Sequence, residues 1–220
     1  MMRQSNISLY ILSITFSLLS LNLYGQETKN QSKRQNKFEI SSDILGVVQE
    51  LTSSYGQYQI STRYNIHNKS FPILEFGLGM SDHTDGGTGL HYKVKSPYGR
   101  IGIDFNLLKD KQSPYRFYLG GRFAFSSFKY DFQSPAIIDP TWGYITKIDN
   151  NGIKGQYIWA ELVAGVQTKI AGPFQMGWNI RYKRRLYQKA GETGDPWYVP
   201  GFGKRGASRL GGEFNIILVL

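Results

Sequence analysis

The stretch from Tyr157 to Tyr187 reads YIWAELVAGVQTKI, then AGP, then FQMGWNIRYKRRLY. Apolar residues occupy most even positions from Ile158 to Ile170 and again from Phe174 to Tyr182, while most positions between them are polar or glycine. Such alternation places the two sets on opposite faces of a strand. Each arm is longer than the roughly 9–11 residues that a tilted strand needs to cross a bilayer. The stretch therefore predicts one hairpin of a transmembrane β-barrel.

The N-terminus has the layout of a secretory signal peptide. Arg3 precedes an apolar run from Ile7 to Leu23, and the small residue Gly25 follows. Because the run is short and interrupted by serines, we predict cleavage after Gly25 rather than an uncleaved membrane anchor. Residues 26–36 are polar and lysine-rich, which predicts a flexible leader. Residues 37–220 then form one domain, the outer-membrane β-barrel.

The composition narrows the classes of function. The chain contains no cysteine, which excludes disulfides and thiolate chemistry. Its formal charge is +10, but the basic residues are scattered along the chain apart from Lys183–Arg185. We therefore expect no nucleic-acid partner and expect contact with anionic lipopolysaccharide instead. No run after the signal segment approaches the roughly 18 apolar residues of a membrane helix, so any spanning must be by a closed sheet.

The alternation recurs along the chain and predicts about eight strands. Besides the two arms of the hairpin, they are Lys37–Val48, Gln57–Ile66, Phe71–Ser81, Leu90–Leu108, Pro114–Phe132 and Ala207–Leu220. The second, fourth and sixth connections are short, at His67–Ser70, Lys109–Ser113 and Ala171–Pro173, whereas the others are longer. Short periplasmic turns and long outer loops are the rule in outer-membrane barrels. The predicted fold is all-β, an antiparallel up-and-down transmembrane β-barrel in the outer membrane of a Gram-negative bacterium.

A soluble lipocalin-type barrel would show the same alternation with its apolar face inward. Glycines on the polar face favour the membrane barrel, because a narrow lumen needs small residues beside long charged ones. These glycines are Gly77, Gly79, Gly102, Gly120, Gly165, Gly177 and Gly211. Aromatic residues near the strand ends also fit the interfacial girdles of a membrane barrel. They are Tyr115, Phe117, Tyr157, Trp159, Phe174, Tyr182 and Tyr187.

Several motifs stand out along the predicted strands and loops. They are Tyr98–Leu108 (YGRIGIDFNLL), Trp142-Gly143, Trp159–Glu161 (WAE), Gly177-Trp178 with Arg181, and Pro196–Gly203 (PWYVPGFG). Together they resemble an uncharacterised family of small bacterial outer-membrane β-barrel proteins, and the likeness runs from about Phe38 to Leu220. The resemblance implies a barrel and no particular activity. Many outer-membrane barrels end in an aromatic residue, whereas this chain ends in Val219-Leu220.

The polar faces of the predicted strands carry charges of both signs, which predicts a charge network in the lumen. Its members are Arg63, Glu75, Arg100, Asp104, Arg116, Arg122, Glu161, Arg181, Lys183, Arg209 and Glu213. Buried charges need partners, and eight strands leave an interior just filled by side chains. We therefore interpret the network as a structural plug; a narrow anion path or a proton-linked site is the alternative. We predict no catalytic residue, no metal and no cofactor.

An enzymatic barrel is the alternative from another class of function. Lipid-modifying and proteolytic barrels need a Ser/His/acid set or an Asp/His pair at the outer rim. His83, beside Asp82 and Asp85, and His91 are candidates, whereas His67 lies in a predicted periplasmic turn. The stretch 201–206 matches G-x-G-x-x-G, but a strand rather than a helix follows it, so we interpret it as a loop.

The predicted function is non-enzymatic: a structural or surface-interaction protein that acts through its outer loops, with its lumen plugged by charged side chains. The expected partners are outer-membrane lipid and lipopolysaccharide, the barrel-assembly machinery during biogenesis, and an unidentified envelope or surface ligand. The alternative is a lipid-A-modifying or proteolytic barrel enzyme that uses His83 or His91.

Overall fold

The computed structural model describes residues 37–111, 113–138, 142–143, 145–147, 149–189 and 196–220. The predicted signal peptide, residues 1–25, and the predicted leader, residues 26–36, lie outside the described residues and stay predictions. No helix in the described part of the chain is long and apolar enough to cross a bilayer.

Eight antiparallel strands close a barrel. They are β1 (Phe38–Asp43), β2 (Tyr55–Tyr64), β3 (Ser70–Thr84), β4 (His91–Asn106), β5 (Tyr115–Gln133), β8 (Asp149–Ala171), β9 (Phe174–Lys189) and β12 (Ser208–Val219). Around the ring each strand pairs with its neighbours in sequence, and β1 pairs with β12 to close it. The predicted fold, an up-and-down barrel of eight antiparallel strands, is confirmed.

Two short ribbons and one helix complete the described structure. One ribbon pairs β6 (Ile137–Ile138) with β7 (Ile145–Thr146), and the other pairs β10 (Tyr198–Val199) with β11 (Gly203–Lys204). The helix, α1, spans Ile44–Thr52. The β5–β8 hairpin is also longer than predicted, because β8 begins at Asp149 rather than at Tyr157. Part of the predicted long loop is therefore strand.

The barrel wall is apolar outside, whereas its inner face is mainly polar around the middle and aromatic towards the end with the long loops. On β9 the neighbours Asn179 and Ile180 differ as the alternation predicts, with 4% of Asn179 and 67% of Ile180 exposed. Exposed apolar side chains occur on every barrel strand, for example Phe38, Ile60, Phe76, Ile101, Phe123, Leu162, Ile180 and Leu210. A contiguous apolar surface of this extent is unfavourable in water and matches the hydrocarbon of a bilayer. This outer surface fits the predicted membrane-spanning barrel.

Two of the predicted girdle aromatics lie elsewhere. The side chains of Tyr157 and Trp159 are fully buried inside the barrel. Both occupy odd positions of β8, which share the inward face with Glu161, so the prediction of an interfacial role was wrong for these two. The other five are exposed on the outside of the barrel: Tyr115, Phe117, Phe174, Tyr182 and Tyr187.

The first predicted strand, Lys37–Val48, was wrong beyond Asp43. Asp43 ends β1 and caps α1, with its carboxylate accepting from the backbone nitrogens of Leu45 at 3.0 Å and Gly46 at 3.2 Å. Beyond this point β1 no longer pairs with β2 and β12, and α1 packs against both strands instead. An aspartate at an N-cap competes effectively with strand continuation because it satisfies otherwise unpaired helix N–H groups.

Asp43 also contacts β2 and β12, the two strands against which α1 packs. Its carboxylate accepts from the Gln57 side chain and from the backbone nitrogen of Phe214, both at 3.3 Å. We expect Asp43→Ala to lower the free energy of unfolding by at least about 1–2 kcal/mol, because the helix loses its cap and two further donors lose an acceptor. Reversible urea unfolding from lipid vesicles measures this loss.

Glu50→Ala is the matched control on the same helix, because Glu50 accepts an exposed hydrogen bond from Tyr58 at 3.1 Å and caps nothing. Its free energy of unfolding should change by about 0.5 kcal/mol or less. Equal losses in the two variants would contradict the role assigned to Asp43.

Glycines on the inner face leave space for large side chains from neighbouring strands. A Cβ at Gly77 would lie 2.3 Å from the ring of Tyr98, and one at Gly165 would lie 2.5 Å from the ring of Tyr118. Both tyrosines are buried in the lumen. The glycines therefore have the steric role expected from the sequence, since any larger residue would displace an aromatic ring.

Candidate functional site: the filled lumen and its outer mouth

Glu75 lies at the centre of a buried group of charges. Its carboxylate forms ion pairs with Arg181 at 2.8 Å, with Arg100 at 3.0 Å and with Arg122 at 3.1 Å. These residues belong to four different strands, β3, β4, β5 and β9. The carboxylate therefore ties together opposite parts of the wall.

The same arginines reach two further carboxylates. Arg181 lies 3.0 Å from Glu161 and 2.6 Å from Glu213, and Arg100 lies 3.1 Å and 3.2 Å from the same pair. All of these side chains are almost completely shielded from solvent. Since an unpaired charge is very costly away from water, this mutual pairing keeps the ionised groups in the lumen.

A second group of charges continues the network towards the end of the barrel with the short turns. Asp104 pairs with Arg122 at 2.8 Å and with Arg63 at 3.1 Å. Glu39 pairs with Arg116 at 2.8 Å and with Arg63 at 3.4 Å. Because Arg122 also contacts Glu75, ion pairs run continuously from β1 into the middle of the lumen.

The segment Pro196–Gly206, here called the plug loop, folds into the barrel from the opposite end. Its residues Tyr198, Val199 and Phe202 are buried. The Phe202 ring packs against Tyr157 and Trp159, with ring centroids 5.7 Å and 5.8 Å apart. An aromatic layer therefore lies on top of the charged layer.

Hydrogen bonds join the plug loop to the charge network. The carbonyl oxygen of Gly201 accepts from Arg100 at 2.8 Å and from Lys183 at 2.7 Å. Gly201 has φ +78, and a Cβ there would lie 2.5 Å from the Tyr98 ring, so the turn requires glycine. The sequence pattern predicts an ordinary outer loop here; the inward course of the segment was not predicted.

A cavity of about 420 Å³ opens between the plug loop and the tips of β3, β4 and β5. Its apolar lining comes from Leu90, Tyr92, Tyr130 and Phe132. We call this space the mouth cavity. Its volume falls within the range of small-molecule sites in proteins.

Three cations line the plug-loop side of the mouth cavity: Lys204, Arg205 and Arg209. The Lys204 ammonium lies 5.0 Å from the centre of the Tyr55 ring and 5.1 Å from that of Trp197, a cation–π arrangement. Arg209 donates to the carbonyl oxygen of Lys204 at 2.8 Å and to that of Arg205. It thereby fixes the segment that carries the other two cations.

The opposite side of the mouth cavity presents His83 and Asp85. The His83 ring stacks on Trp197 with a centroid distance of 4.0 Å. The Asp85 carboxylate accepts from the backbone nitrogens of Gly87 at 3.0 Å and Thr88 at 2.8 Å, and hydrogen bonds from Thr88 and Gly87 lower its pKa. Asp85 is therefore an anion already engaged by its own loop.

The family model described as Domain of unknown function (DUF6048) matches residues 4–219 of the chain. The chain belongs to this family. No curated protein matches it. In this member of the family, the fold is a β-barrel with the inward plug loop described above.

Several solved structures resemble this DUF6048 chain. Neisserial surface protein A is 14% identical, covers 83% of this chain and 94% of its own, and has a TM-score of 0.41. A major outer membrane protein of Thermus thermophilus is 10% identical, with coverages of 84% and 99% and a TM-score of 0.45. Ail of Yersinia pestis, solved in complex with the heparin analogue sucrose octasulfate, is 11% identical, with coverages of 84% and 94% and a TM-score of 0.38. The likeness concerns the fold alone, which the strand pairing already establishes.

Of the predicted lumen residues of this DUF6048 chain, most belong to the ion-pair network and two do not. Ion pairs connect nine of them: Arg63, Glu75, Arg100, Asp104, Arg116, Arg122, Glu161, Arg181 and Glu213. Lys183 instead donates to the plug loop, and Arg209 lies at the mouth, apart from the network. Glu39 was missed, although its position opposite Phe38 in the alternating pattern assigned it to the inner face. Gln59 was missed as well; its side chain bonds Tyr98 and Arg100.

The two candidate catalytic histidines each contact a hydroxyl group. Nδ1 of His83 lies 3.1 Å from Oγ of Ser54, and Nδ1 of His91 lies 3.0 Å from Oγ1 of Thr84. Nε2 of His91 is 3.7 Å from Asp82, which pairs more closely with Lys93 at 2.9 Å. A nucleophile–base pair also needs a group that orients the base. For His83, no carboxylate of the described residues pairs with the ring.

Proposed function

We propose that this protein is a non-enzymatic outer-membrane barrel that acts through its outer surface and does not pass solutes through its lumen. The observation that carries the proposal is the double filling of the lumen. Ion pairs around Glu75 and Arg181 occupy the middle, and the plug loop covers them with Phe202 and the Gly201 carbonyl. An eight-stranded barrel has an interior that side chains alone can fill.

The alternative of an anion path through the lumen has weaker support. An anion in the middle would have to compete with carboxylates that already hold Arg100, Arg122 and Arg181 at 3.2 Å or less. Displacing such charge-assisted bonds is costly where no water replaces them. The same pairing argues that these residues have a structural role.

The proposed role therefore lies at the ends of the long hairpins and at the mouth cavity. The apolar wall would contact outer-membrane lipid, and the exposed basic residues of the mouth would face the anionic lipopolysaccharide layer. Biogenesis would require the barrel-assembly machinery of the outer membrane. The enzyme alternative is supported only by the hydroxyl contacts of His83 and His91, which lack a well-placed orienting carboxylate among the described residues.

Conductance across a planar lipid bilayer tests the filled lumen. The purified full-length protein, inserted at defined amounts and high salt, is expected to give no stable stepwise current, because side chains and the plug loop occupy the lumen. A porin inserted in the same bilayers serves as the positive control. Reproducible single-channel steps from the wild-type protein would overturn the proposed function.

A further inference from the structure

The mouth cavity has a charge imbalance that nothing in the described surroundings neutralises. Lys204, Arg205 and Arg209 line it, while Asp85 is the carboxylate of its lining. Oδ1 of Asp85 accepts from Gly87 and Thr88 within its own turn, and the single charge of this carboxylate offsets only one of the three cations. No ion pair involves Lys204, Arg205 or Arg209 among the described residues. Within the described part of the chain, no carboxylate therefore competes with an anionic ligand for Lys204 and Arg205.

The cations are held on a firm support. Lys204 belongs to the β10–β11 ribbon, where it pairs with Tyr198, and the backbone nitrogen of Arg205 donates to the carbonyl oxygen of Trp197 at 3.0 Å. Tyr198 itself is buried, and its carbonyl oxygen accepts from Tyr92 at 2.6 Å. A site that is held in place before binding loses less conformational entropy when a ligand enters.

The rest of the lining indicates what the anionic group is attached to. Leu90, Tyr92, Tyr130 and Phe132 give the cavity apolar and aromatic walls, and the stacked pair of His83 and Trp197 borders it. Such walls suit the C–H faces of a sugar ring, while His83 and Thr88 offer groups that can bond hydroxyls. A cavity of about 420 Å³ is large enough for a small saccharide.

We propose that the mouth cavity binds a phosphorylated sugar, with the phosphate held by Lys204 and Arg205 and the ring against the aromatic walls. This inference rests on the proposed function, because it takes the outer mouth as the working surface. A phosphate is favoured over a single carboxylate because it offers three acceptor oxygens and up to two negative charges to adjacent cations. The sugar phosphate could belong to lipopolysaccharide of the same membrane or come from outside.

The test uses the full-length protein in phospholipid nanodiscs without lipopolysaccharide, with glucose 1-phosphate as the probe and saturation-transfer NMR as the readout. Wild type should bind glucose 1-phosphate more tightly than glucose or inorganic phosphate, and higher salt should weaken binding. The double variant Lys204→Gln, Arg205→Gln should bind at least about tenfold more weakly, since two charge-assisted hydrogen bonds are lost.

Lys129→Gln, Lys154→Gln is the matched control, because it removes the same charge from a cross-strand pair on β5 and β8 outside the cavity lining. Its binding should equal that of wild type. If the control weakens binding as much as the cavity variant does, or if wild type binds glucose 1-phosphate no better than inorganic phosphate, the proposal is overturned.

The source of the sugar phosphate is decided by adding lipopolysaccharide to the nanodiscs. Loss of probe binding would show that lipopolysaccharide fills the cavity, and unchanged probe binding would show that the ligand comes from outside the membrane; both outcomes support a sugar-phosphate site. If the barrel neither conducts nor binds the probe, the sugar-phosphate site is contradicted and the proposed function is not. A barrel that conducts would contradict the proposed function.

Discussion

Replacing Arg181 by alanine is expected to lower the free energy of unfolding by about 3–5 kcal/mol. Arg181 contacts three buried carboxylates, Glu75, Glu161 and Glu213, at 2.6–3.0 Å. Removing it leaves these carboxylates with fewer partners in a part of the lumen that is shielded from solvent. The penalty of a buried, under-compensated charge exceeds the value of the contact itself, and so the effect should be large.

Arg184→Ala is the control for this variant. Arg184 lies on the same strand but is exposed on the outer face, and no ion pair involves it in the described part of the chain. Its removal should change the free energy of unfolding by about 0.5 kcal/mol or less. Reversible urea unfolding of both variants from the same lipid vesicles gives the comparison. Similar small losses in both would contradict a structural role for the charge network.

A double variant separates the network from a simple loss of packing. Glu213→Gln removes one of the three charges that Arg181 compensates. If Arg181 acts through charge pairing, adding Glu213→Gln to Arg181→Ala should cost less than Glu213→Gln costs in the wild type, because one stranded charge is then gone. Strict additivity would indicate that the two side chains contribute independently.

The barrel itself could be predicted from the sequence because its information is local and repeated. Alternation such as Asn179-Ile180 assigns each residue to a face, and a shift of one position would put every charge of the strand in lipid. The recurrence of this alternation predicted about eight strands, and the lengths of the connections predicted which end of the barrel carries the short turns. These features need no knowledge of contacts between distant residues, and the observed pairing agrees with them.

The departures arise where two structures satisfy the same local pattern. Ile44–Val48 is an apolar run that a strand or a helix could use. The helix is favoured by the Asp43 cap, and the contacts of Asp43 with Gln57 and Phe214 hold this cap in place. Trp159 is amphipathic, so its type fits an interface as well as a lumen. Its odd position on β8 places it on the inner face with Glu161, and there it packs against Phe202, a residue of the plug loop that lies far away in sequence.

The mouth cavity also depends on contacts between residues that are distant in sequence, which the local pattern does not predict. Its lining joins His83 and Asp85 from one hairpin to Trp197, Lys204 and Arg205 from the plug loop. From the sequence alone, His83 is a candidate for catalysis and the stretch 201–206 is a loop, with nothing to connect the two. Bringing them together depends on the loop turning into the barrel at Gly201, a course that no periodicity encodes.

The apolar face of the wall must lie in a bilayer if the protein is the barrel described above. Ile180 and Leu186 are both exposed on the outer face of β9, with Ile180 nearer its middle and Leu186 close to its outer end. In a bilayer, Ile180→Lys should cost about 2–4 kcal/mol, whereas Leu186→Lys should cost about 0–1 kcal/mol, because the penalty falls towards the interface.

Reversible unfolding of the two variants from lipid vesicles measures this difference directly. We expect Ile180→Lys to be the more destabilised of the two by at least about 1 kcal/mol. In water, by contrast, two exposed lysines should be tolerated alike, each within about 0.5 kcal/mol of the wild type. Equal, small losses at both positions would contradict the membrane-spanning barrel.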